Sequence, residues 1–261
     1  PNNAMAHADL ASIYYSLKKY DEAVAEYRKA LELNPHFAEA HYGLGEVLDE
    51  RGELNKAIME IKRAIEIKPK YSAAHELLGY FYLNEKLYDE AEKEFKVAAN
   101  LDPFSVFSHV NLVQIYLNKE MVDDAENEAK KAMSINPNNP ASHSALGDVY
   151  FTKDKFNEAA EEYKKSIQIN PRFVSGYVDL GYAYFRMNRH EEATKLIKDA
   201  IKLDPKYARA YAYLGYVYED MGQEDKAIKQ YEKALEIDPG MTQAATRLLE
   251  IYKERGKYDN N

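Results

Sequence analysis

The sequence predicts an all-α protein, an α-solenoid of stacked antiparallel helix pairs, and three observations carry that expectation. Eight of the nine prolines are 34 residues apart, from Pro1 through Pro35, Pro69, Pro103, Pro137, Pro171 and Pro205 to Pro239. A leucine follows on the same period: Leu10, Leu44, Leu78, Leu112, Leu146, Leu180, Leu214 and Leu248. Alanines hold two further places without a bulky exception, Ala23 to Ala227 and, seven residues later, Ala30 to Ala234 with Ser166 among them. A fixed period of this length marks an architecture in which each repeat is one supersecondary unit that cannot bury its apolar face alone.

Taken in order, each repeat begins three residues after its proline, which gives 4–37, 38–71, 72–105, 106–139, 140–173, 174–207 and 208–241, and the whole of 1–261 is read as one repeat domain. Apolar residues at places 4, 7, 8 and 11 of a repeat recur at i, i+3, i+4, i+7, the stripe of a first helix. The alanines mark the facing stripe of a second helix. Glycine usually follows the leucine (Gly45, Gly79, Gly147, Gly181, Gly215), where two backbones must approach closely. Turns such as KKYDEA (18–23) separate the helices, and the proline ends the second one. Asn or Asp before that proline suits a capping turn. Residues 242–255 form a last helix, read either as a cap or as the start of an unfinished repeat. The opening PNN (1–3) and closing GKYDNN (256–261) match repeat interiors, so a piece of a longer array and a capped array both stay open.

Composition narrows the function classes. At 46% apolar and 30% charged over 261 residues, the balance is that of a globular chain. No stretch approaches 18 apolar residues, so no membrane insertion is expected. No secretory leader opens the chain, although a removed one stays open; the expected location is cytoplasmic, with periplasmic and membrane-peripheral placements left open. With no cysteine, disulfides, thiol catalysis and thiolate metal sites are excluded. A net charge of −9 opposes nucleic-acid binding, which needs cations on phosphates, and favours a partner with a basic segment.

The Leu-Gly, Tyr, Ala, aromatic, Ala and Pro pattern on a 34-residue frame resembles the tetratricopeptide repeat (TPR) family over essentially the whole chain. Ala11, Val113 and Leu249 depart from it by replacing the glycine, and His or Tyr stands where the family often has a larger aromatic. The resemblance implies a right-handed superhelix whose first helices line a concave surface that binds peptides or helices. Places 2, 5, 9, 12 and 13 of a repeat fall on that face. The residues there are acidic early: Glu39, Tyr42, Glu46, Asp49, Glu50 and Glu76. Aromatic and aliphatic residues follow, with Tyr80, Leu83, Asn84, Phe107, Val110, Gln114, Leu117, Asn118 and Phe151. Val178, Tyr182, Phe185, Arg186, Arg209, Tyr216, Glu219 and Asp220 make a mixed end. Leu83, Leu117, Phe151 and Phe185 divide evenly between groove and packing between repeats.

Two of the family's binding modes are absent. Its two-carboxylate clamp needs Lys, Asn, Asn, Lys and Arg across three first helices, and only Asn111 matches, with Glu76 and Ala145 where cations belong. An asparagine ladder at place 6 would need asparagine where the chain has Asp9, Gly43, Leu77, Ala145, Asp179 and Tyr213.

A histidine ladder (His7, His41, His75, His109, His143) occupies place 4, and Tyr177 and Tyr211 follow it. A metal would need several imidazoles about 2 Å from one ion, whereas packed neighbouring helices stand about 8–10 Å apart. No carboxylate sits four residues away on the same face. The ladder is therefore read as a packing slot for a flat ring, in which His75→Phe keeps the fold. His36 and His190, off the ladder, read as surface or turn residues. No phosphate loop, nucleophile elbow or metal motif appears, so no catalytic, cofactor-binding or metal residue is assigned and the chain is read as a non-enzyme. The leading expectation is a protein-interaction module that binds a peptide or helix segment. A self-associating scaffold and a targeting array of a longer enzyme are the alternatives.

Overall fold

The structure, a computed structural model, describes residues 3–256. Pro1, Asn2 and the residues after Gly256, and with them most of the PNN and GKYDNN stretches, lie outside the described residues. Fifteen α-helices and no strand are found among the described residues. They are α1 (Ala4–Ser16), α2 (Tyr20–Leu33), α3 (Ala38–Glu50), α4 (Leu54–Ile67), α5 (Ser72–Asn84), α6 (Tyr88–Leu101), α7 (Val106–Asn118) and α8 (Val122–Ile135). There follow α9 (Pro140–Thr152), α10 (Phe156–Ile169), α11 (Val174–Arg186), α12 (His190–Leu203), α13 (Ala208–Asp220), α14 (Glu224–Ile237) and α15 (Thr242–Glu254). Two compact units divide them, Pro1–Ile135 with α1–α8 and Asn136–Asn261 with α9–α15. Within each unit every first helix packs on its own second helix, and that second helix on the next first helix. Each unit is an all-α stack of helix hairpins.

Local chemistry sets the helix ends. After every first helix, α15 included, one residue lies in the left-handed region, at Lys18, Gly52, Lys86, Glu120, Asp154, Asn188, Gly222 and Gly256, with φ between 56° and 74°. That residue lets the chain reverse after the first helix: at Gly52 its N–H bonds the Asp49 carbonyl at 2.7 Å and the next N–H bonds the Leu48 carbonyl at 2.9 Å. After the second helix, the Asn or Asp before the proline accepts from the N–H two residues on, as Asn34 does from His36 at 3.1 Å and Asp238 from Gly240 at 2.8 Å. Asn3 and Asn139 cap α1 and α9 with their side chains, and Pro140 fits the first turn of α9, where its missing N–H costs nothing.

The hairpin cores are built on close approach. A methyl group added to Gly147 would lie 2.6 Å from the Tyr163 ring, and one on Gly181 2.7 Å from Ile197. In the repeat 106–139 the sizes are exchanged: Val113 stands in the glycine's place and Ala129 in that of the large residue, both buried. Leu44, Leu78, Leu112, Leu180 and Leu214 are buried, but Leu10 is 37% exposed, because no preceding hairpin covers α1 among the described residues.

Candidate functional site

In the N-terminal unit the face of α3 gathers carboxylates and tyrosines. Glu46 and Asp49 are half-buried, and neither meets a cation among the described residues. Burial pushes the Glu46 carboxyl up, opposed by a hydrogen bond from Tyr42; burial and then the Glu50 charge push up Asp49. The rings of Tyr42 and Tyr71 lie 5.2 Å apart, and those of Tyr15 and Tyr20 6.1 Å. Tyr20 donates to Glu50 at 3.2 Å. Burial, then Glu39 and Glu46, push the Tyr71 phenol up to about 12, and burial followed by Glu46 and Glu50 raises Tyr15. The sign of the field in this bay is negative. Two of the acids expected here are engaged by the array itself. Glu39 pairs with Lys68 at 2.7 Å, and Glu76 accepts from the Ser105 and Ser108 hydroxyls at the next first helix.

Further along this unit, Tyr80 and Phe107 form an exposed aromatic pair with centroids 6.3 Å apart, and Phe107 also meets Phe95 edge-on at 6.0 Å. Asn84 and Gln114 are exposed beside it, and Leu117 and Val110 are half-buried. Asn118 accepts from Tyr88 at 3.1 Å and donates to the Gln114 carbonyl at 2.8 Å, which fixes its amide. Leu83 is buried and belongs to packing.

The C-terminal unit carries a shelf of rings. Phe151 and Tyr182 stack at 5.2 Å, Tyr182 and Tyr213 at 4.4 Å, and Tyr216 continues the row 5.9 Å from Tyr213. Phe151 comes from α9, Tyr182 from α11, and Tyr213 and Tyr216 from α13, so stacking of the hairpins makes the row. Tyr182, Phe185, Tyr213 and Tyr216 floor a cleft of about 670 Å³, rimmed by Glu219, Asp220, Gln243 and Arg247. Arg247 and the Tyr231 hydroxyl hold Glu219, and His190 lies 2.7 Å from Asp220. Of the arginines expected on this face, Arg186 lies over Phe156 at 4.5 Å and pairs with Asp154, while Arg209 pairs with Asp179 and lies 5.2 Å from the Tyr213 centroid. Val178 is fully buried.

Arg209 belongs to a polar cluster whose other members the sequence pattern did not single out as a site. Asp179, buried, meets Arg209 and accepts from Ser144 at 3.4 Å; Asp148 accepts from Tyr163 at 2.7 Å. Burial and the neighbouring Asp179 push the Asp148 carboxyl up to about 7. Asp179 and Arg209 are 30 residues apart, the same offset as Asp21 to Arg51 at 2.8 Å, Asp89 to Lys119 at 2.6 Å and Asp225 to Arg255 at 2.9 Å. Those three pairs join the start of a second helix to the end of the next first helix, whereas Asp179 and Arg209 join two successive first helices.

The histidine ladder is a hydrogen-bonded slot. His7, His41, His75, His109 and His143 each place Nδ1 2.6 Å from a glutamate, Glu26, Glu60, Glu94, Glu128 and Glu162 in turn. The carboxylate comes from the facing second helix, 19 residues on. Where Tyr177 and Tyr211 take the slot, the same place holds Leu196 and Gln230. Nε2 of His41, His75 and His143 meets the carbonyl of Pro35, Pro69 or Pro137 at 3.2, 3.1 and 2.9 Å, and the tyrosine hydroxyls donate to Pro171 and Pro205.

Signatures described as TPR repeat match residues 11–50 and 147–188, and signatures described as tetratricopeptide repeat match 38–71, 72–105, 108–139 and 178–242. A tetratricopeptide repeat protein from Parabacteroides merdae ATCC 43184 superposes with TM-score 0.81 at 15% identity, over 95% of this chain and 98% of that one. The APC/C hetero-tetramer Cut9–Hcn1 gives 0.73 at 15% identity over 96% of this chain and 53% of that chain. Yeast Tom70 gives 0.63 at 20% identity, over 97% and 54%. The chain thus spans about half the length of these last two proteins. A comparison with curated proteins found no match. These likenesses show the fold, and the repeat signatures, which together cover most of the sequence, show the family: the chain belongs to the tetratricopeptide repeat proteins.

Proposed function

We propose that the face of the first helices receives a segment of a partner protein, with a basic part of that segment at α3 and apolar side chains on the aromatic pairs. A tetratricopeptide repeat array is in general a protein–protein interaction scaffold and typically a non-catalytic one. No helix among the described residues is long and apolar enough to cross a membrane. The observation that carries the finer reading is the pair Glu46 and Asp49, two half-buried carboxylates without a cation beside four tyrosines. Partly desolvated carboxylates are stabilised by an incoming ammonium or guanidinium, and tyrosine faces attract the same groups. Tyr80 and Phe107, exposed on α5 and α7, offer the apolar contact on the same unit.

The test is peptide-display panning against the protein and against Glu46→Gln with Asp49→Asn, both first shown folded by circular dichroism. Enriched peptides rich in Lys or Arg are expected to bind the parent about tenfold or more tighter than the variant, and to weaken with salt. Peptides that bind both forms equally would move the basic segment off α3. Tyr80→Ala with Leu117→Ser reads the apolar contact separately.

A further inference from the structure

The repeat 72–105 departs from the other repeats at two places, the repeat 106–139 at a third, and the three meet in one cleft. At the place of Ala99 the other repeats carry Leu31, Ile65, Met133, Ile167, Ile201 and Leu235. That side chain fills the joint between hairpins: the Ile167 branch reaches Gly176 at the start of α11. Alanine leaves the joint between α6 and α7 short of several carbon atoms. After the grid proline the other repeats carry polar residues or glycine, whereas Phe104 stands there, 78% exposed and the most exposed large apolar side chain among the described residues. The third departure is His109. It is only 6% exposed, its Nδ1 is held by Glu128, and its Nε2 has no hydrogen bond among the described residues, where His41, His75 and His143 spend that atom on a proline carbonyl.

Ala99, Phe104 and His109 line one cleft of about 620 Å³, with Leu112 and Ile135 in its apolar wall and Lys96 and Lys131 at its edge. It lies on the second-helix side of the hairpins, bounded by α6, α7, α8 and the turn at 102–105, apart from the α3 bay. The charged groups around the ring are Glu128 and Lys131 from α8 and Lys96 from α6. Burial opposes ionisation of Glu128, but hydrogen bonds from His109 and Lys131 hold its carboxyl below its ordinary value, so it is a carboxylate already committed. The two ammonium groups are exposed and pair with covered carboxylates on their own helices, Lys96 with Glu92 and Lys131 with Glu128.

We propose that this cleft is a binding site for an apolar carboxylate. The hydrocarbon part takes the volume that Ala99 leaves, against Phe104 and Leu112. The carboxylate accepts from His109 Nε2–H, with Lys96 and Lys131 beside it. A carboxylate on each ring nitrogen requires a proton on both, the imidazolium form of the ring. The shared chemistry belongs equally to a free branched or aryl acid and to the C-terminus of a peptide ending in an apolar residue.

The experiment is long-range proton–nitrogen NMR of the protein labelled at histidine, titrated with 3-methylbutanoate, N-acetyl-leucine and N-acetyl-leucinamide at about pH 6. Both acids should shift the His109 ring nitrogens saturably and leave His75, whose Nε2 is spent on Pro69, in place. The amide, which lacks the charge, should bind about tenfold or more weakly. Tighter binding of N-acetyl-leucine identifies a peptide terminus as the source, and tighter binding of 3-methylbutanoate a free acid. Ala99→Ile refills the joint as in the other repeats and should abolish the shift. Lys131→Gln, a surface change that keeps the fold, should weaken binding about threefold or more. An unmoved His109, an amide that binds as well as the acids, or undiminished binding in Ala99→Ile would each overturn the site.

Discussion

At the scale of the residue, place 4 of the repeat shows how one side chain can be more than a spacer. His75 has Glu94 at 2.6 Å on one nitrogen and the Pro69 carbonyl at 3.1 Å on the other, and both partners are acceptors, so both bonds form only in the imidazolium. The hydrogen bond that its Nδ1–H donates to Glu94 raises the pKa of His75, against the opposing effect of burial. A raised folded value gives stability that is present in full below about 6.5, the unfolded pKa, and is lost as pH rises through the folded value. His75→Phe fills the slot and keeps the fold but forfeits both bonds, at a cost of about 1–3 kcal/mol. Chemical denaturation at pH 6 and pH 8.5 checks this: the cost should shrink at the higher pH, and a cost independent of pH would mean that the ring acts by packing alone.

At the scale of the element, the hairpin depends on a size match between a first-helix residue and a second-helix residue 16 places on, as in Gly147 and Tyr163 or Gly181 and Ile197. Val113 and Ala129 reach the same fit with the sizes exchanged. The exchange should therefore transplant. Gly181→Val alone overfills the joint and should cost about 1–3 kcal/mol; Ile197→Ala alone leaves a cavity and should cost about 2–4 kcal/mol. The double variant should be less destabilised than the sum by roughly 1 kcal/mol or more, read from thermal unfolding of all four proteins. Strict additivity would show that α11 and α12 do not meet through these two residues.

At the scale of the whole molecule, acid groups decide how stability varies with pH. Asp148, Asp179, Glu46 and Asp49 all have raised pKa values, for which burial is the first cause. A carboxyl raised in the folded state withdraws stability as pH climbs from its unfolded value, about 4, to its folded one, which for Asp148 is about 7. Glu128, held low, acts the other way and loses its contribution only as pH falls below the ordinary carboxylate range. With His75 added, maximum stability is expected in mildly acidic solution, about pH 5–6, rather than at pH 8. Asp148→Asn keeps an acceptor for Tyr163 and removes the charge, so it should raise the melting temperature at pH 8 and flatten the slope between pH 5 and 8. A variant with the parent's slope would place the titration elsewhere.

Much of this was legible in the sequence because the repeat writes one message several times. The proline grid, the leucine ladder and the alanines located the first helices at Ala4, Ala38, Ser72, Val106, Pro140, Val174, Ala208 and Thr242, since helical periodicity and chain-breaking residues act locally. Of the residues expected on the candidate face, Glu46, Asp49, Tyr80, Tyr182 and Tyr216 are all at least partly exposed. What each residue does there was decided only by tertiary structure. Glu39 is taken by Lys68, Glu76 by two serines and Arg209 by Asp179, through contacts made 29 to 32 residues away, where the pairing depends on how one hairpin seats on the next. The glutamates that clamp the histidines were on the same 34-residue frame all along, yet a same-helix search cannot see a partner that arrives from the facing helix. The sequence by itself determined the repeat, its helices and its core, because those follow from local periodicity and burial. Only the folded chain decided which charges are spent and which are left open, because that depends on distances between groups far apart in sequence.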